Sequence, residues 1–500
     1  MMLAVQNIPL YVIMLFLSGG VICCALTPRW AKWYTLLLHL AVTMMLLSLL
    51  GFVLQSGDSY VYCMGHVGAP WGNELRVGTL EALMAVAFTG VCMLSLLGGM
   101  GHIFHDCERG KAGRYFAVVN LLMSSMMALL FTNDLFTAYV FIEINTIASC
   151  ALVMVRSTTG KTLASTAQYL IMSLLGSGLF LIALGMLYAL TGHLLMENIA
   201  SSVSLLFASG SYMVPLTVII GLFTISLAIK SALFPFHTWL PDAHGCATAA
   251  SSAILSGIVI KGYILLLIKL ICRVITPPVV AESMVLNAVF VLGAAAMIIG
   301  SLEAMREKNL KRMLAFSSVS QVGYIFLAIG LGSKAGFAAA CVQMLAHAFT
   351  KPMLFIAAGG LMDVSGGSRQ MEALRGAAWR DRVGGISFLL GSLSMIGIPL
   401  TSGFVAKLYL STSAVEGGGY KSYISVIVII ISTLLNAMYY IPALGNLYSR
   451  GGMDDSLHKR LYRWDYCVAS AAFVMLNLIL GLFSDNFIGA IFSGLDMFGV

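Results

Sequence analysis

Four lysines lie inside long apolar segments of this 500-residue chain, at Lys230, Lys261, Lys351 and Lys407, and one acid, Glu143, lies near the middle of a similar segment. A charged side chain at the centre of a membrane-spanning helix costs at least about 2.5 to 3.5 kcal/mol, and such residues usually serve an ion path. Lysine and glutamate both exchange protons, and we expect Glu143 to pair with Lys230 or another of the lysines. One acid does not neutralise four lysines. The surplus predicts lysines that are neutral for part of the time, lie beside water or face an acid on another subunit.

Two simpler explanations of these charges compete with a proton path. A lysine near a helix end reaches the headgroup region with its side chain, and this suits Lys269 and also Lys407. A buried pair between Glu143 and a lysine that only fixes helix packing is the second alternative. Lys261 and Lys351 lie ten or more residues from either end of their segments, which is too deep for the first explanation. Their positions favour a polar path inside the membrane.

The apolar segments are long enough to cross a membrane. Hydrophobic residues make up 59% of the chain and charged residues 10%, and the mean hydropathy is +0.94; this composition excludes a soluble enzyme or a nucleic-acid-binding protein. The segments are continuous and reach the about 20 residues that a spanning helix needs, whereas barrel strands alternate apolar and polar residues. The sequence predicts an all-α bundle of fourteen spans, numbered 1 to 14, at residues 8–26, 34–55, 77–100, 114–132, 135–155, 164–190, 212–234, 247–271, 280–301, 310–332, 336–361, 384–411, 422–445 and 464–493.

The loops between these spans differ in their content of basic residues. Loops after odd-numbered spans hold nineteen of the 28 lysines and arginines, and loops after even-numbered spans hold five. Since an excess of basic residues in short loops marks the cytoplasmic side, we expect both termini on the outer side of the cell membrane. The nineteen are Arg29, Lys32, Arg109, Lys111, Arg114, Arg156, Lys161, Arg306, Lys308, Lys311, Arg312, Arg369, Arg375, Arg380, Arg382, Arg450, Lys459, Arg460 and Arg463, and the five are Arg76, Lys269, Arg273, Lys334 and Lys421.

Spans 7 and 12 are each interrupted by a proline close to a lysine. Lys230 is followed by Pro235, and Lys407 is preceded by Pro399. Proline leaves backbone carbonyls without a partner, which a membrane helix tolerates where it lines a cavity. Interrupted helices at corresponding places in two halves indicate a transporter built from inverted repeats. The sequence therefore predicts an N-terminal region at 1–110, repeats of five helices at 111–275 (spans 4–8) and 276–445 (spans 9–13), and a C-terminal region with span 14 at 446–500.

The cysteines give no sign of a metal or cofactor site. The ten cysteines form no CxxC pair and no cluster with histidine, and most lie in apolar segments. They are typical of small buried side chains, and we expect no cofactor and no metal in this chain.

The first apolar segment has no basic residue ahead of it and no small-residue cleavage site, so we expect it to be retained as span 1.

Five motifs in a fixed order resemble those of the antiporter-like subunits of respiratory complex I, Mrp-type cation/proton antiporters, membrane-bound hydrogenases and formate hydrogenlyase. The resemblance runs from residue 100 to residue 445. The segment that ends at Glu143 and the pair His347 and Lys351 look most similar to the D-type member of the Mrp antiporters and its hydrogenase relatives. The motifs are Asn133–Glu143 (NDLFTAYVFIE), Lys230–His244 (KSALFPFHTWLPDAH), Asn309–Ser318 with Gln321–Tyr324, Ala346–Lys351 (AHAFTK), and Gly397–Pro399 with Ser402–Phe404.

The resemblance implies a fourteen-helix core, two inverted five-helix repeats and a hydrophilic axis at the membrane midplane. It implies that Glu143 is the acid of span 5, Lys230 its partner on the broken span 7, and Lys261 the central lysine of span 8. Lys407 would be the terminal lysine of the broken span 12. In span 11 it implies that His347 and Lys351, four residues apart on one helix face, form a further pair. His237 and His244 flank the turn after Pro235, and a hydrogen-bonded loop histidine and a role in proton uptake are equal alternatives for both.

These features together predict an ion-translocating membrane subunit of a redox-driven pump or cation/proton antiporter. Its expected partners are other membrane subunits, including further antiporter-like subunits, the lipid bilayer, and protons or sodium, with no nucleic acid. The sequence shows no redox centre, so we expect any enzymatic activity to belong to the complex. A stand-alone secondary transporter of a small solute and a structural membrane subunit remain the alternatives.

Overall fold

The computed structural model describes residues 5–68, 72–107, 111–156, 160–449 and 463–499. Within these residues thirteen helices are long and apolar enough to cross a membrane, and span 12 consists of two half-helices, which confirms the predicted all-α bundle. Spans 1 to 6 are Ile8–Ala25, Pro28–Ser56, Thr79–Gly98, Ala112–Phe131, Leu135–Val153 and Gly160–Thr191. Spans 7 to 14 are Met213–Lys230 with Trp239–Cys246, Ala249–Val274, Val285–Arg306, Leu310–Gly330, Lys334–Asp363, Arg382–Ile396 with Ser402–Gly417, Gly419–Leu447 and Trp464–Leu482.

Both predicted interruptions are present. The first half of span 7 ends at Lys230, and residues 231–238, which include Pro235, are not helical. The first half of span 12 ends at Ile396. Gly397 follows in the left-handed conformation with φ 96°, which is a common way to end a helix and which glycine adopts without steric cost. Each break therefore leaves helix ends inside the protein, beside a lysine.

Span 8 is a continuous helix with two wide turns. Leu255–Val259 and Leu270–Val274 are π-helical, so that each contains one residue more than an ordinary turn. Lys261 lies just after the first wide turn and Lys269 just before the second. Spans 8, 10 and 11 are buried on nearly all sides, which explains why their sequences are apolar around the whole helix.

Two strands and two helices at the bundle ends were not predicted. Strand β1 (Tyr60–Cys63) pairs antiparallel with strand β2 (Glu74–Val77) in the connection between spans 2 and 3. A helix at Met196–Ala208 joins spans 6 and 7, and its buried residues Met196, Ile199 and Val203 recur at helical spacing. The chain also extends span 3 by a short helix, Met100–Asp106.

The end of span 14 and the position of Lys311 differ from the prediction. Span 14 ends at Leu482, and a separate helix, Ser484–Asp496, packs against spans 3 and 11. Lys311, counted as a loop residue, lies in span 10 and is 1% exposed. The predicted loop residues Arg109, Arg450, Lys459 and Arg460 lie outside the described residues. The end of the bundle that carries the loops after odd-numbered spans is called the basic side below.

Candidate functional site

The first part of the site joins spans 5, 7 and 8. Glu143 is the ninth residue of span 5, and Thr146 follows it by three residues. Lys230 Nζ donates to Thr146 Oγ1 at 3.0 Å and lies 5.5 Å from the ring centre of Tyr263. Glu143 is within Coulombic range of Lys230, but no ion pair within 4.0 Å joins these two described residues. The expected direct pair between Glu143 and Lys230 is therefore absent, and Thr146 accepts a hydrogen bond from Lys230 instead.

Lys261 is fully buried near the start of the second α-helical part of span 8, Ile260–Lys269. Its ammonium donates to the backbone carbonyl of Ser256, inside the wide turn one step back along the helix. The hydroxyl of Ser256 in turn lies 3.2 Å from that of Ser318 on span 10. Among the described residues no carboxylate lies within 4.0 Å of Lys261. The lysine is held by a backbone carbonyl instead of an anion.

Two histidines lie near Lys261 and Lys351. His347 on span 11 and His244 after the break of span 7 are 1% and 0% exposed. Among the described residues neither ring nitrogen of either histidine has a hydrogen-bond partner, which is unusual for buried polar atoms. Both histidines are within Coulombic range of Lys261 and Lys351. These four residues are called the central cluster.

Lys351 is held by groups from spans 10 and 13. Its ammonium donates to the carbonyl of Leu314 at 2.7 Å and to Ser317 Oγ at 2.8 Å. It also lies 3.4 Å from the hydroxyl of Tyr440, which is 2.9 Å from Ser317 Oγ. Lys351 therefore contacts a pair of hydroxyls, Ser317 on span 10 and Tyr440 on span 13.

Lys407 lies on the second half of the broken span 12 and binds the C-terminal end of the first half. Its ammonium donates to the carbonyls of Met395 and Ile396 at 3.0 and 2.8 Å. These carbonyls have no helical partner because the half-helix ends there, and a cation at this end is favourable. A Cβ at Gly397 would lie 3.1 Å from Lys407 Cδ, so the glycine also leaves room for the lysine stem. Lys407 is 7% exposed, so its interpretation as a lysine that reaches the headgroups is wrong.

Polar side chains also lie between Lys351 and Lys407. Tyr439, next to Tyr440, donates to Asn436 Oδ1 at 2.7 Å. Asn436 Nδ2 donates to the carbonyl of Met395 at 3.4 Å, and this carbonyl also accepts from Lys407. Side chains of span 13 therefore bridge most of the space between the two lysines.

The two residues named for proton uptake have different surroundings. His237 Nε2 donates to Glu303 Oε2 at 2.8 Å, and the histidine is 5% exposed on its side chain while Glu303 is 35% exposed. His244 belongs to the central cluster, as described above. Pro235 and Pro399 both lie in the non-helical interruptions, and neither touches the lysines through a polar atom.

A second buried group of charges lies at the far end of span 8, opposite the basic side. Glu81 Oε1 on span 3 lies 3.1 Å from Arg273 and 3.5 Å from Lys269. Glu81 Oε2 accepts from the backbone of Gly78 at 3.1 Å, where the start of a helix favours a negative charge. These residues, Glu81, Lys269 and Arg273, are called the Glu81 cluster. Lys269 is 1% exposed, so the prediction that it reaches the headgroups is wrong.

Sequence reasoning missed the uncharged members of the site and one acid. Ser317, Asn436 and Tyr440 are ordinary residues for a membrane helix, and their role depends on where three helices meet. Glu81 was overlooked because it stands near the start of its apolar segment, where acids are common. The signal that would have found it is the pair of basic residues, Lys269 and Arg273, four apart on one helix face.

Comparison with known proteins identifies the family of this chain. The family described as "NADH:quinone oxidoreductase/Mrp antiporter, TM" matches residues 132–435, which is more than half of the chain. The chain belongs to this family. The matched range contains every lysine of the axis, Glu143 and both histidines of the central cluster. The protein is accordingly an antiporter-like membrane subunit with many spans.

Relatives of this family resemble the chain over most of its length. The N-type subunit of an NADH-quinone oxidoreductase from Desulforudis audaxviator (strain MP104C) is 32% identical and aligns over 80% of the chain and 77% of its own length. The D-type subunit of a Na(+)/H(+) antiporter from Bacillus subtilis (strain 168) is 25% identical over 84% of the chain and 82% of its own length. These identities do not favour the D-type antiporter relative over the N-type oxidoreductase relative.

Two solved assemblies contain chains with the same fold. One belongs to the membrane-bound sulfane sulfur reductase, an archaeal respiratory membrane complex, with a TM-score of 0.86, 23% identity, and coverage of 99% of this chain and 96% of that one. The other belongs to the Mrp complex from Dietzia sp. DQ12-45-1b, with a TM-score of 0.84, 22% identity, and coverage of 98% and 97%. At these identities the likeness shows the shared architecture.

Proposed function

We propose that this antiporter-like subunit moves protons along a buried axis from Glu143 and Lys230 through the central cluster to Lys407. It does so inside a multisubunit membrane complex, with further antiporter-like subunits beside it, because the relatives are named as subunits of such assemblies. The basic side faces the cytoplasm and both termini face outward. Energy reaches the axis from neighbouring subunits, since the axis residues themselves carry no redox chemistry.

The observation that carries this proposal is the surroundings of the axis lysines. Lys230, Lys261, Lys351 and Lys407 are all buried, and within the described residues none has a carboxylate within 4.0 Å. A buried lysine without an anion is held by hydroxyls and carbonyls that accept from the charged form, while burial favours the neutral form. Such a group changes its charge in response to a small change nearby, which a lysine locked to an acid does not.

The order of the residues gives a mechanism. A change of charge or position at Glu143 alters the Coulombic field at Lys230, whose ammonium binds Thr146 about one helical turn further along span 5. Lys230 and Tyr263 then act on Lys261, which shares span 8 with Tyr263 and lies two residues from it. A proton taken up by the central cluster moves through Lys351 and nearby hydroxyls toward Lys407. Coupling of this kind requires two charge states for each lysine and no large movement of the helices.

The test is proton pumping by the complete complex in sealed vesicles, driven by its natural donor or ion gradient. Glu143→Gln and Lys230→Ala are each expected to abolish coupled pumping while the complex assembles. Lys308→Met is the matched control, because Lys308 is an exposed lysine of the basic side that touches no axis residue. Normal pumping by both axis variants would overturn the proposal, and uptake of a solute by the chain alone would support a stand-alone transporter.

A further inference from the structure

A histidine and an aspartate meet at the basic-side end of span 11. His102, on the short helix that extends span 3, lies with Nε2 3.2 and 3.1 Å from the two carboxylate oxygens of Asp363. The histidine side chain is 10% exposed and that of the aspartate 49%. A cavity of about 520 Å³ opens beside them and is lined also by Gly101, Gly366 and Arg463. Solvent thus reaches the aspartate while the histidine faces the protein interior.

Span 11 connects this pair with the central cluster through a series of residues on successive turns. His347, Lys351, Phe355, Gly359 and Asp363 follow one another at intervals of four residues, so each lies about one turn beyond the last and is rotated around the helix by about 40°. Each interval corresponds to a rise of about 6 Å. The series leads from the exposed carboxylate of Asp363 to the buried Lys351 in three such steps.

Histidines lie against the two uncharged residues between Lys351 and Asp363 in this series, Phe355 and Gly359. The ring of His102 packs on Gly359, where a Cβ would lie 2.9 Å from Cε1 of the histidine. The ring of His244 stacks on Phe355 with 4.9 Å between ring centres. The two imidazoles therefore pack against neighbouring turns of span 11, between the positions of Asp363 and Lys351.

Three ring nitrogens of these two histidines have no hydrogen-bond partner in the part of the chain that the structure describes. They are Nδ1 of His102 and both ring nitrogens of His244, all buried and without a hydrogen bond to any described side chain or backbone atom. Imidazole accepts a proton on one nitrogen and releases it from the other, and its charge changes near neutral pH. A histidine placed only for packing would usually satisfy its buried nitrogens.

We propose that His102 and Asp363 form a proton-uptake site that supplies Lys351 through His244 along span 11. Water in the cavity gives a proton to the Asp363–His102 pair at the carboxylate or Nε2, and Nδ1 of His102 releases a proton inward. His244 accepts it and passes it to neutral Lys351, so that one proton enters for each that Lys351 hands on. The site rests on the proposed function of Lys351, and it is separate from the His237–Glu303 pair.

The experiment uses the intact complex in vesicles and measures pumping for His102→Ala with and without added imidazole. The cavity beside residue 102 is large enough for one imidazole molecule. We expect pumping to fall about tenfold, since a positioned proton-transfer group contributes at least this much, and we expect imidazole to restore most of it. Wild type with imidazole controls for general buffering.

His105→Ala is the matched control. His105 lies on the same short helix, three residues further on, and borders the same cavity, but its side chain is 87% exposed and it pairs with Asp106 at 3.3 Å. We expect this variant to pump as wild type does. His102→Gln, which retains a hydrogen bond to Asp363 but carries no proton, separates proton transfer from packing and is expected to be as slow as His102→Ala.

The outcomes separate the uptake site from the proposed function. If Lys351→Ala stops pumping while His102→Ala and His102→Gln pump normally, the uptake site is wrong and the proton axis stands. A slow His102→Ala that imidazole does not restore, together with a normal His102→Gln, would assign His102 a packing role and also overturn the site. Normal pumping by Lys351→Ala would overturn the proton axis itself.

Discussion

Span 8 carries two buried lysines, eight residues apart, whose surroundings differ. Lys269 is paired with Glu81 and shares this acid with Arg273, while Lys261 donates to a backbone carbonyl and has no carboxylate within 4.0 Å among the described residues. A lysine held by an acid is fixed in its charged form, and loss of the acid leaves an uncompensated charge in the protein. A lysine held by dipoles alone is free to exchange its proton. The two ends of one helix therefore combine a fixed anchor with a variable charge.

The largest expected difference between the two lysines is in pumping. Lys261→Met is expected to lower pumping per assembled complex about a hundredfold, because it removes a positioned proton-transfer group. Lys269→Met leaves Glu81 paired with Arg273, and pumping is expected to stay close to that of wild type. Vesicle assays on equal amounts of assembled complex measure both. Equal losses in the two variants would contradict the distinction.

The second expected effect is on stability. Glu81→Gln removes the only acid of the Glu81 cluster and leaves Lys269 and Arg273 without an anion, so we expect a loss of about 3 to 5 kcal/mol in the free energy of unfolding. The thermal midpoint of the purified complex or subunit measures it. Glu197→Gln is the control, since Glu197 pairs with Arg76 but is 55% exposed on its side chain, and its loss is expected to be about 0 to 1 kcal/mol.

A double-mutant cycle sharpens the same comparison. Glu81→Gln and Lys269→Gln combined should destabilise by less than the sum of the single changes, with a coupling of about 1 to 3 kcal/mol. Glu81→Gln and Lys261→Gln are expected to add within about 0.5 kcal/mol, because these side chains do not touch. A similar coupling in both cycles would mean that the charges of span 8 act as one network.

The smallest expected effect concerns the hydroxyls beyond Lys351. Tyr440→Phe removes one acceptor at 3.4 Å from Lys351, which keeps Ser317 and the carbonyl of Leu314. The loss of one such hydrogen bond is about 1 kcal/mol, which corresponds to about a fivefold decrease in pumping rate. Stopped-flow acidification of vesicles resolves a change of this size. An unchanged rate would place the proton path away from span 13.

Much of the fold was predictable because the membrane restricts what a chain can do. Long apolar segments become helices when no water is present to bind the backbone, and Pro235 and Pro399 marked the two interrupted spans correctly. The depth of Lys261 and Lys351 also followed from the length of their segments. The strand pair at Tyr60–Cys63 and Glu74–Val77 was not predicted, since four-residue strands leave little pattern in the sequence.

The site was predictable for its charged residues and not for their partners. Lys230, Lys261, Lys351 and Lys407 stand out because charge is rare in apolar segments. Which oxygen receives each ammonium depends on the approach of other helices, as the contact of Lys230 with Thr146 shows. Glu81 stands where acids are common, near the start of its segment, and its partners lie on a helix almost two hundred residues further along the chain.

The wide turn at Leu255–Val259 places Lys261 by means of a single surplus residue. Each residue of a helix turns the chain by about 100°, so the surplus residue rotates everything that follows relative to what precedes it. Residues before and after this turn therefore point in directions that a regular α-helix would not give them. The ammonium of Lys261, just after the turn, donates to the carbonyl of Ser256 within it. Deletion of one residue from 255–259 would restore a regular α-helix and turn the side chain of Lys261 away from its neighbours, without changing any charged residue.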